Sequence, residues 1–294
     1  MHKIIPHLWF NTQAKEAAQF YVDTFGGDSK VTSTATIHDT PSGDTDMLTF
    51  TLAGQPFMAI SAGPLFKFNP SISFLVSCET KEEVERLWKQ LSDGGSTYMP
   101  LGSYPFSESF GWLQDKYGLS WQLMFLGDRP MKQKITPVLM FTQNMTGKAE
   151  EAMKFYCSVF DNASIDGMMR YGKDEAPDTE GTVRFADFTL EGQHFAAMDS
   201  AREHNFTFSE AISLVVQCQT QDDIDAYWEK LSAVPQAEQC GWLKDKYGVS
   251  WQIVPTAMQE MMSNGDAAAI ARVTQAFLKM KKFDIATLEK AYKG

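Results

Sequence analysis

Few side chains of this chain have a type and spacing suited to chemistry, and they occur in short apolar segments. His7 stands alone in the apolar run 4–10, and a lone histidine seldom finds the further ligands that a metal site needs. It therefore either lines a cavity or is a hydrogen-bonded histidine of the core. Trp-Gln pairs occur at 121–122 and 251–252, and successive side chains on a strand face opposite ways. If each tryptophan packs under a helix, each glutamine faces the other side of its sheet, where its amide either binds a ligand or satisfies buried backbone groups.

Common catalytic fingerprints are missing from the sequence. It contains no GxGxxG, GxSxG, P-loop or HExxH motif, which excludes the dinucleotide-binding, hydrolase, nucleotide-triphosphatase and zinc-protease signatures. The cysteines form no CxxC pair and no zinc spacing, and no histidine lies at a spacing that would activate one of them. We expect them to be buried small hydrophobes in a reducing cytosol; they are Cys78, Cys157, Cys218 and Cys240.

Composition indicates a globular, acidic protein. The 294 residues are 44% hydrophobic and carry a formal net charge of −11, which argues against a nucleic-acid or anionic-membrane partner, since both favour a basic protein. The longest apolar runs have the length of strands, so no segment is expected to span a bilayer. The first residues also lack the apolar core of a signal peptide, and we expect a cytoplasmic protein.

The chain contains an internal repeat with its segments in the same order. Both copies contain the sequence Asp-Lys-Tyr-Gly, at 115–118 and 245–248, which we interpret as a turn in which glycine supplies a positive φ and aspartate bonds the local backbone. The corresponding segments are 5–10 and 136–141, 14–21 and 149–156, 50–55 and 188–193, 111–118 and 241–248, and 120–122 and 250–252.

Each copy contains two strand-helix units. In the first copy a strand at 4–10 precedes an apolar helix stripe, Ala14, Ala17, Ala18, Tyr21 and Phe25, which repeats with helical spacing. Three short strand segments follow, and the same order then restarts. The pattern predicts four βαβββ modules in an α+β fold.

The repeat also predicts the domain organisation. The expected bounds are 1–127 for the first domain and 135–257 for the second, with a boundary in the charged stretch between them. Residues 258–294 have no counterpart in the first copy and indicate a helical tail, with Asp284 as a helix cap. The tail either packs on the body of the protein or serves as a dimerisation arm.

At these residues the sequence resembles the vicinal oxygen chelate superfamily, which includes glyoxalase I, bleomycin-resistance proteins and extradiol dioxygenases. It resembles most its PhnB-like branch, whose domain is catalogued as 3-demethylubiquinone-9 3-methyltransferase. The resemblance implies tandem glyoxalase-like domains built from paired βαβββ modules. The segments that carry it are 6–10, 16–17, 20–21, 240–255 and 279–285.

The resemblance also implies where a ligand would bind. Active members hold a divalent ion with His, Glu or Gln side chains on the first and last strands of each module, and the ion polarises substrate oxygens. At those positions the residues suited to such an ion are His7, Gln122, Asp199 and Gln252, so neither copy supplies a full His/Glu set. The catalogued methyltransferase name finds no support either, since no adenosyl-binding glycine loop is present.

We therefore expect a protein that binds a small organic ligand, without an intact metal site and without another cofactor. The alternative is a metal-dependent lyase, isomerase or dioxygenase, and whether the chain is an enzyme stays open. Superfamily members of half this length pair as dimers, so the chain resembles a dimer fused into one polypeptide; a homodimer of the full chain is also possible. The residues expected to contact a ligand are His7, Trp9, Phe57, Ser61, Phe110, Trp112, Gln122, Asp199, Trp242 and Gln252.

The two copies differ at these positions. His7 is replaced by Val138, Ser61 by Asp199 and Phe110 by Cys240. We expect that the copies do not bind the same ligand and that at most one is active.

Overall fold

A computed structural model describes residues 2–40 and 43–294. The first repeat contains the two predicted βαβββ modules. Module 1 consists of β1 (Ile4–Phe10), α1 (Ala14–Phe25), β2 (Lys30–Thr40), β3 (Gly43–Leu52) and β4 (Gln55–Ser61). Module 2 consists of β5 (Ile72–Cys78), α2 (Lys81–Leu91), β6 (Ser96–Tyr104), β7 (Ser107–Gln114) and β8 (Ser120–Phe125).

The second repeat follows the same order with one strand fewer. Module 3 consists of β9 (Ile135–Phe141), α3 (Ala149–Val159), β10 (Ser164–Arg170), β11 (Val183–Leu190) and β12 (Gln193–Asp199). Module 4 consists of β13 (Ile212–Cys218), α4 (Gln221–Leu231), β14 (Trp242–Lys244) and β15 (Ser250–Pro255). A 3₁₀ turn, Pro235–Ala237, stands where module 2 has β6, because the connection is shorter and proline lacks the N–H of a ladder residue. The α+β fold class is confirmed, and the fourth βαβββ module is incomplete.

The strands form two sheets, and each sheet combines one module from each repeat. The first sheet has the order β14-β15-β13-β1-β4-β3-β2, and the second has the order β10-β11-β12-β9-β5-β8-β7-β6. The junctions are antiparallel: His7 lies opposite Ser213 in the first sheet, and Val138 lies opposite Ser73 in the second. A surface on either sheet is therefore shared between the repeats.

Helices cover one face of each sheet. The helices α1 and α4 pack on the first sheet, and α2 and α3 pack on the second. Local sequence fixes where these helices begin: Thr80 Oγ1 accepts a hydrogen bond of 3.1 Å from Glu83 N at the start of α2, and Thr220 and Asp223 form a capping box at the start of α4. Below, the opposite face of each sheet is called its helix-free face.

A buried carboxylate ties together the two modules of each repeat. Asp115 Oδ2 accepts hydrogen bonds of 2.8 Å from Tyr21 Oη and Trp121 Nε1, and its Oδ1 accepts from Tyr117 N and Leu119 N. Asp245 does the same in the second repeat. The predicted turn is confirmed, and Gly118 at its end has φ +93°. The same aspartate also anchors a tryptophan and a helix, which the local motif did not indicate.

The tail is helical and packs on module 4. It consists of α5 (Thr256–Asn264), α6 (Ala267–Phe277) and α7 (Ile285–Lys293), and the predicted cap Asp284 accepts a hydrogen bond from Thr287 N. The segment between α6 and α7 runs along the edge of module 4 and forms backbone hydrogen bonds with it. Cys240 N donates to Met280 O (2.8 Å), and Gly241 N donates to Lys281 O (2.7 Å). The tail thus covers the edge strand that lacks a neighbour.

Two further expectations have structural outcomes. Cys78 and Cys218 are buried, whereas Cys157 and Cys240 are only partly buried, so the expectation of four buried thiols was wrong for two of them. No helix among the described residues is long and apolar enough to cross a membrane.

Candidate functional site

His7 lies on the helix-free face of the first sheet, at the junction between the repeats. Its neighbours on β1, Ile4, Leu8 and Phe10, point into the core under the helices, so strand alternation places the imidazole on the other face. The residue is 6% exposed, and Nδ1 has no hydrogen-bond partner among the described residues. Burial lowers the pKa of His7 to about 4, so the ring is neutral at pH 7.

A row of polar side chains continues from His7 across the sheet. Ser213 lies directly opposite His7, and Ser250 lies opposite Ser213 on the next strand. Gln252 Nε2 donates a hydrogen bond of 2.8 Å to Ser213 Oγ. Ser250 Oγ is buried and, like His7 Nδ1, has no partner among the described residues. Two unpartnered buried polar atoms therefore lie on one face of the sheet, two strands apart, with Ser213 between them.

Aromatic rings form the wall beside this row. The His7 ring meets the Trp242 ring edge to face at 5.6 Å between centroids. Trp242 also meets Trp9 at 6.1 Å, and Trp9 meets Phe66 at 5.0 Å. The Trp9 indole is fixed by a hydrogen bond of 2.8 Å from Nε1 to Gly63 O. Trp242 comes from module 4 and Trp9 from module 1, so this wall also requires both repeats.

The equivalent position on the second sheet has different chemistry. Val138 replaces His7 and packs with Leu75, Phe110 and Ala196 in a separate apolar cluster on the helix-free face. The polar groups beside it are paired: Gln122 Nε2 donates to Ser73 Oγ (2.8 Å).

Trp112 completes the pairing on the second sheet, since its Nε1 donates a hydrogen bond of 2.8 Å to Ser120 Oγ. The first sheet lacks this pairing: Trp242 lies against His7, and Ser250 Oγ, the counterpart of Ser120 Oγ, has no partner among the described residues.

One further replacement separates the two faces. Phe110 is 4% exposed and fills the second face, whereas its counterpart Cys240 has φ +51° and packs against the main core. The first face therefore loses an aromatic side chain and gains an imidazole. Two of the three replacements that distinguish the copies in the sequence thus alter the helix-free faces.

Three residues expected at the site hold the fold together instead. Phe57 is 1% exposed and stacks on Phe50 in the core. On the same strand, the side chains of Met58 and Ile60 face the other side of the sheet. Ser61 Oγ accepts a hydrogen bond of 3.1 Å from Ala14 N at the start of α1.

Asp199 has the same role at the start of α3. Its Oδ1 accepts hydrogen bonds from Gly147 N (2.8 Å) and Ala149 N (3.1 Å), and its Oδ2 accepts from Val183 N (2.9 Å). Burial raises the pKa of Asp199, while these backbone donors oppose that effect.

The other expected residues divide between the two sheets. His7, Trp9, Trp242 and Gln252 come together on the first sheet, and Phe110, Trp112 and Gln122 lie on the second. His7 and Gln122, which belong to one copy, are therefore not part of one site. Sequence reasoning missed Ser213 and Ser250, and only the register between the repeats identifies them.

The sequence resemblance implies a divalent ion, which would need at least three suitable ligands at this face. The helix-free face around His7 offers one imidazole, one amide and two serine hydroxyls. The part of the chain that the structure describes contains no group of three or more His, Cys, Asp or Glu side chains that could hold a metal ion. These donors do not fit a divalent ion of the kind that imidazole and carboxylate ligands bind.

The architecture is a tandem pair of domains built from βαβββ modules, and this surface is shared between them. The family model described as 3-demethylubiquinone-9 3-methyltransferase matches residues 2–124 and again 133–254. The chain therefore belongs to that family.

The chain is similar to solved structures of two kinds, proteins that match less than half of it and proteins that match most of it. The PhnB protein from Bacillus cereus is 43% identical over 42% of this chain and 99% of its own, with a TM-score of 0.40. Protein PA1353 from Pseudomonas aeruginosa is 27% identical over 44% of this chain and 100% of its own, with a TM-score of 0.39. Glyoxalase I from Zea mays is 14% identical over 88% of this chain and 96% of its own, with a TM-score of 0.52, which shows a shared fold. No match is found among curated proteins.

Proposed function

We propose that this chain binds a small neutral organic molecule on the helix-free face of the first sheet, through His7, Gln252 and Ser250, with Trp9 and Trp242 as its apolar wall. The observation that carries the proposal is the pair of unpartnered buried atoms, His7 Nδ1 and Ser250 Oγ. A buried polar atom without a partner destabilises the folded protein by about 1–3 kcal/mol. A ligand that supplies both partners recovers that free energy on binding.

The electrostatics of the site favour a neutral ligand. His7 is uncharged at pH 7 because burial lowers its pKa to about 4, and a neutral imidazole offers one donor and one acceptor. Gln252 uses its NH₂ group on Ser213, which leaves its carbonyl oxygen to accept. The complementary ligand is an aromatic ring with a hydroxyl or amide group, since indole walls favour ring contacts.

The second sheet is not proposed to bind this ligand. Phe110 and Val138 fill the corresponding surface with apolar side chains, and Trp112 already satisfies Ser120. One working site for each chain follows, built by modules 1 and 4. We also propose that the protein acts in the cytoplasm and that the fused repeats replace the dimer of half-length chains.

The test uses phenol and benzamide as probes, with a matched pair of variants. Gln252→Leu removes the amide from the proposed site, and Gln122→Leu makes the same change at the equivalent position of the second sheet. Binding is measured by ligand-observed NMR, which detects weak binding even when the affinity is not known beforehand. The shift in the Tm of the protein is measured as well. We expect His7→Val and Gln252→Leu to abolish probe binding and Gln122→Leu to leave it unchanged. Equal loss in both glutamine variants, or binding that survives His7→Val, contradicts the proposed site.

A metal-dependent lyase, isomerase or dioxygenase is the second candidate. His7 and Gln252 are two possible ligands on one helix-free face, so this candidate requires a further ligand that the described residues do not supply there. Elemental analysis of the purified chain distinguishes the two proposals. Stoichiometric Zn, Ni, Fe or Mn that is lost in His7→Ala would overturn the metal-free proposal.

A further inference from the structure

A second pocket lies outside the helix-free face, where the loops of modules 1 and 2 meet. Its volume is about 510 Å³, within the range of small-molecule sites. The loop after β4, the turn after α2 and the turn between β7 and β8 enclose it. It shares only Trp9 with the site proposed above, and neither His7 nor Gln252 lines it.

Aromatic side chains form the apolar part of this pocket. Trp9, Phe66, Phe68 and Tyr117 all line it. Their positions are fixed by edge-to-face contacts: Trp9 with Phe66 at 5.0 Å, and Phe10 with Phe68 at 5.0 Å between ring centroids. Rings held in this way accept another ring without much loss of conformational entropy.

The charged side chains of the pocket are cationic and lack acidic partners. Lys67 and Lys116 line it, and among the described residues neither forms an ion pair. The Lys116 ammonium lies 4.5 Å from the Phe20 ring centroid and 5.0 Å from that of Tyr117. Asp115 is the lining carboxylate, but it is 3% exposed and its two oxygens already accept four hydrogen bonds.

The amide side chains of the pocket add further donors. Gln114 Oε1 accepts a hydrogen bond of 2.8 Å from Tyr98 Oη, and Gln13 Oε1 accepts one of 3.1 Å from Thr12 N. Both oxygens are therefore occupied, and the NH₂ groups have no acceptor among the described residues. Gln114 Nε2 faces Gly118, 3.2 Å from the point where a Cβ would stand. Both amide NH₂ groups can therefore donate to an anion in the pocket.

The second repeat provides an internal comparison, because its one corresponding lysine is paired. Lys246, the counterpart of Lys116, lies 3.8 Å from Glu151 Oε1. Lys244, which stands where the first repeat has Gln114, pairs with Glu210 at 2.6 Å. Thr207 stands where the first repeat has Lys67. Of the two equivalent regions, only that of the first repeat has lysines without an ion pair among the described residues.

We propose that this pocket binds a small aromatic anion, an aryl carboxylate or aryl phosphate, with its ring among Trp9, Phe66 and Phe68 and its charge beside Lys67 and Lys116. Attraction between an anion and two unpaired ammonium groups is strongest near apolar walls, where water screens charge less. Donation from the free amide groups adds charge-assisted hydrogen bonds.

The experiment measures the affinities of benzoate and phenyl phosphate for the full chain by calorimetry. Acetate lacks the ring and benzyl alcohol lacks the charge, so these probes separate the two parts of the proposal. The variants are Lys67→Thr, which installs the residue of the second repeat, Lys116→Gln, and Lys246→Gln as the matched control. All three lysines are on the surface, so the variants are expected to fold.

We expect benzoate to bind the wild type more tightly than acetate or benzyl alcohol, and to bind more weakly as salt is raised. Each single lysine variant in the pocket should weaken benzoate about fivefold and the double variant about 20-fold, as charge-assisted contacts of this kind do. Lys246→Gln and His7→Val should leave the affinity unchanged. Equal binding of benzyl alcohol, an equal loss in Lys246→Gln, or no binding of either aryl anion overturns the proposal. Loss of benzoate binding in His7→Val would instead place the anion on the first sheet.

Discussion

Replacing His7 with valine, the residue of the second repeat, should remove an acid sensitivity that the buried imidazole gives the fold. Burial lowers the pKa of His7 from 6.5 to about 4. Between these values the unfolded chain binds a proton that the folded chain does not, so the free energy of unfolding falls as pH decreases. At about 1.4 kcal/mol for each tenfold change in proton affinity, the loss reaches about 3 kcal/mol below pH 4 and about 2.5 kcal/mol at pH 4.5.

The assay is urea unfolding of the wild type and His7→Val at pH 7.0, 5.5 and 4.5. The difference between the two proteins isolates His7, because carboxylates titrate in both. The stability of the variant relative to the wild type should rise by about 2.5 kcal/mol between pH 7.0 and pH 4.5. Ile5→Val is the matched control on the same face of β1; it should cost about 0.5–1.5 kcal/mol at every pH. Parallel pH dependences for His7→Val and Ile5→Val, or an NMR titration midpoint of His7 near 6.5, would refute the reasoning.

Two further predictions concern residues that hold the site in place. Asp199→Ala should destabilise the protein by about 2–4 kcal/mol, since it removes a helix cap and leaves buried backbone N–H groups unpaired. Probe binding should persist at a temperature where the variant is folded, and lost binding without lost stability would restore Asp199 as a ligand. Phe283→Ala should loosen the tail from module 4, because this ring is 2% exposed and packs on Gly241, next to Trp242. Faster proteolysis at 279–282 and weaker phenol binding are expected, and an unchanged cleavage rate would contradict the contact.

The sequence predicted the modules well because their signals are local. A strand period, a helix stripe and a cap each lie within a few residues, and the repeat supplies each signal twice. The lost strand of module 4 was missed because Gly241 and its neighbours still resemble the first copy closely. The second copy differs in the shorter connection before these residues and in the tail, which forms hydrogen bonds with their backbone.

The composition of the site could not be predicted in the same way. His7 meets Ser213 through a strand pairing between modules that lie far apart in the chain, and local pattern contains no information on such a register. The alternation of apolar and polar residues along a strand, however, could have been read from the sequence. Leu52 and Phe50 alternate with polar neighbours on β3, and the hairpin pairs Phe50 with Phe57, which places Phe57 in the core, opposite to the expectation. Asp199 lies at the end of its strand, where helix capping competes with ligand binding as a use for a carboxylate.

Pairing across the repeats explains how two identical halves could acquire different sites. If the repeats were identical, the two sheets would be identical too, because each contains one first-type and one second-type module. After fusion, a change in module 1 alters only the sheet that it shares with module 4. His7 and Cys240, which replaces an aromatic ring, come from different repeats, yet both alter the first sheet. Reciprocal substitution tests this directly: Val138→His alone should lower stability, because Phe110 still fills the face and the new ring gains no ligand-accessible space. Unchanged stability of Val138→His would show that the second face can hold an imidazole beside Phe110, and that the aromatic ring need not be lost for one to be accepted.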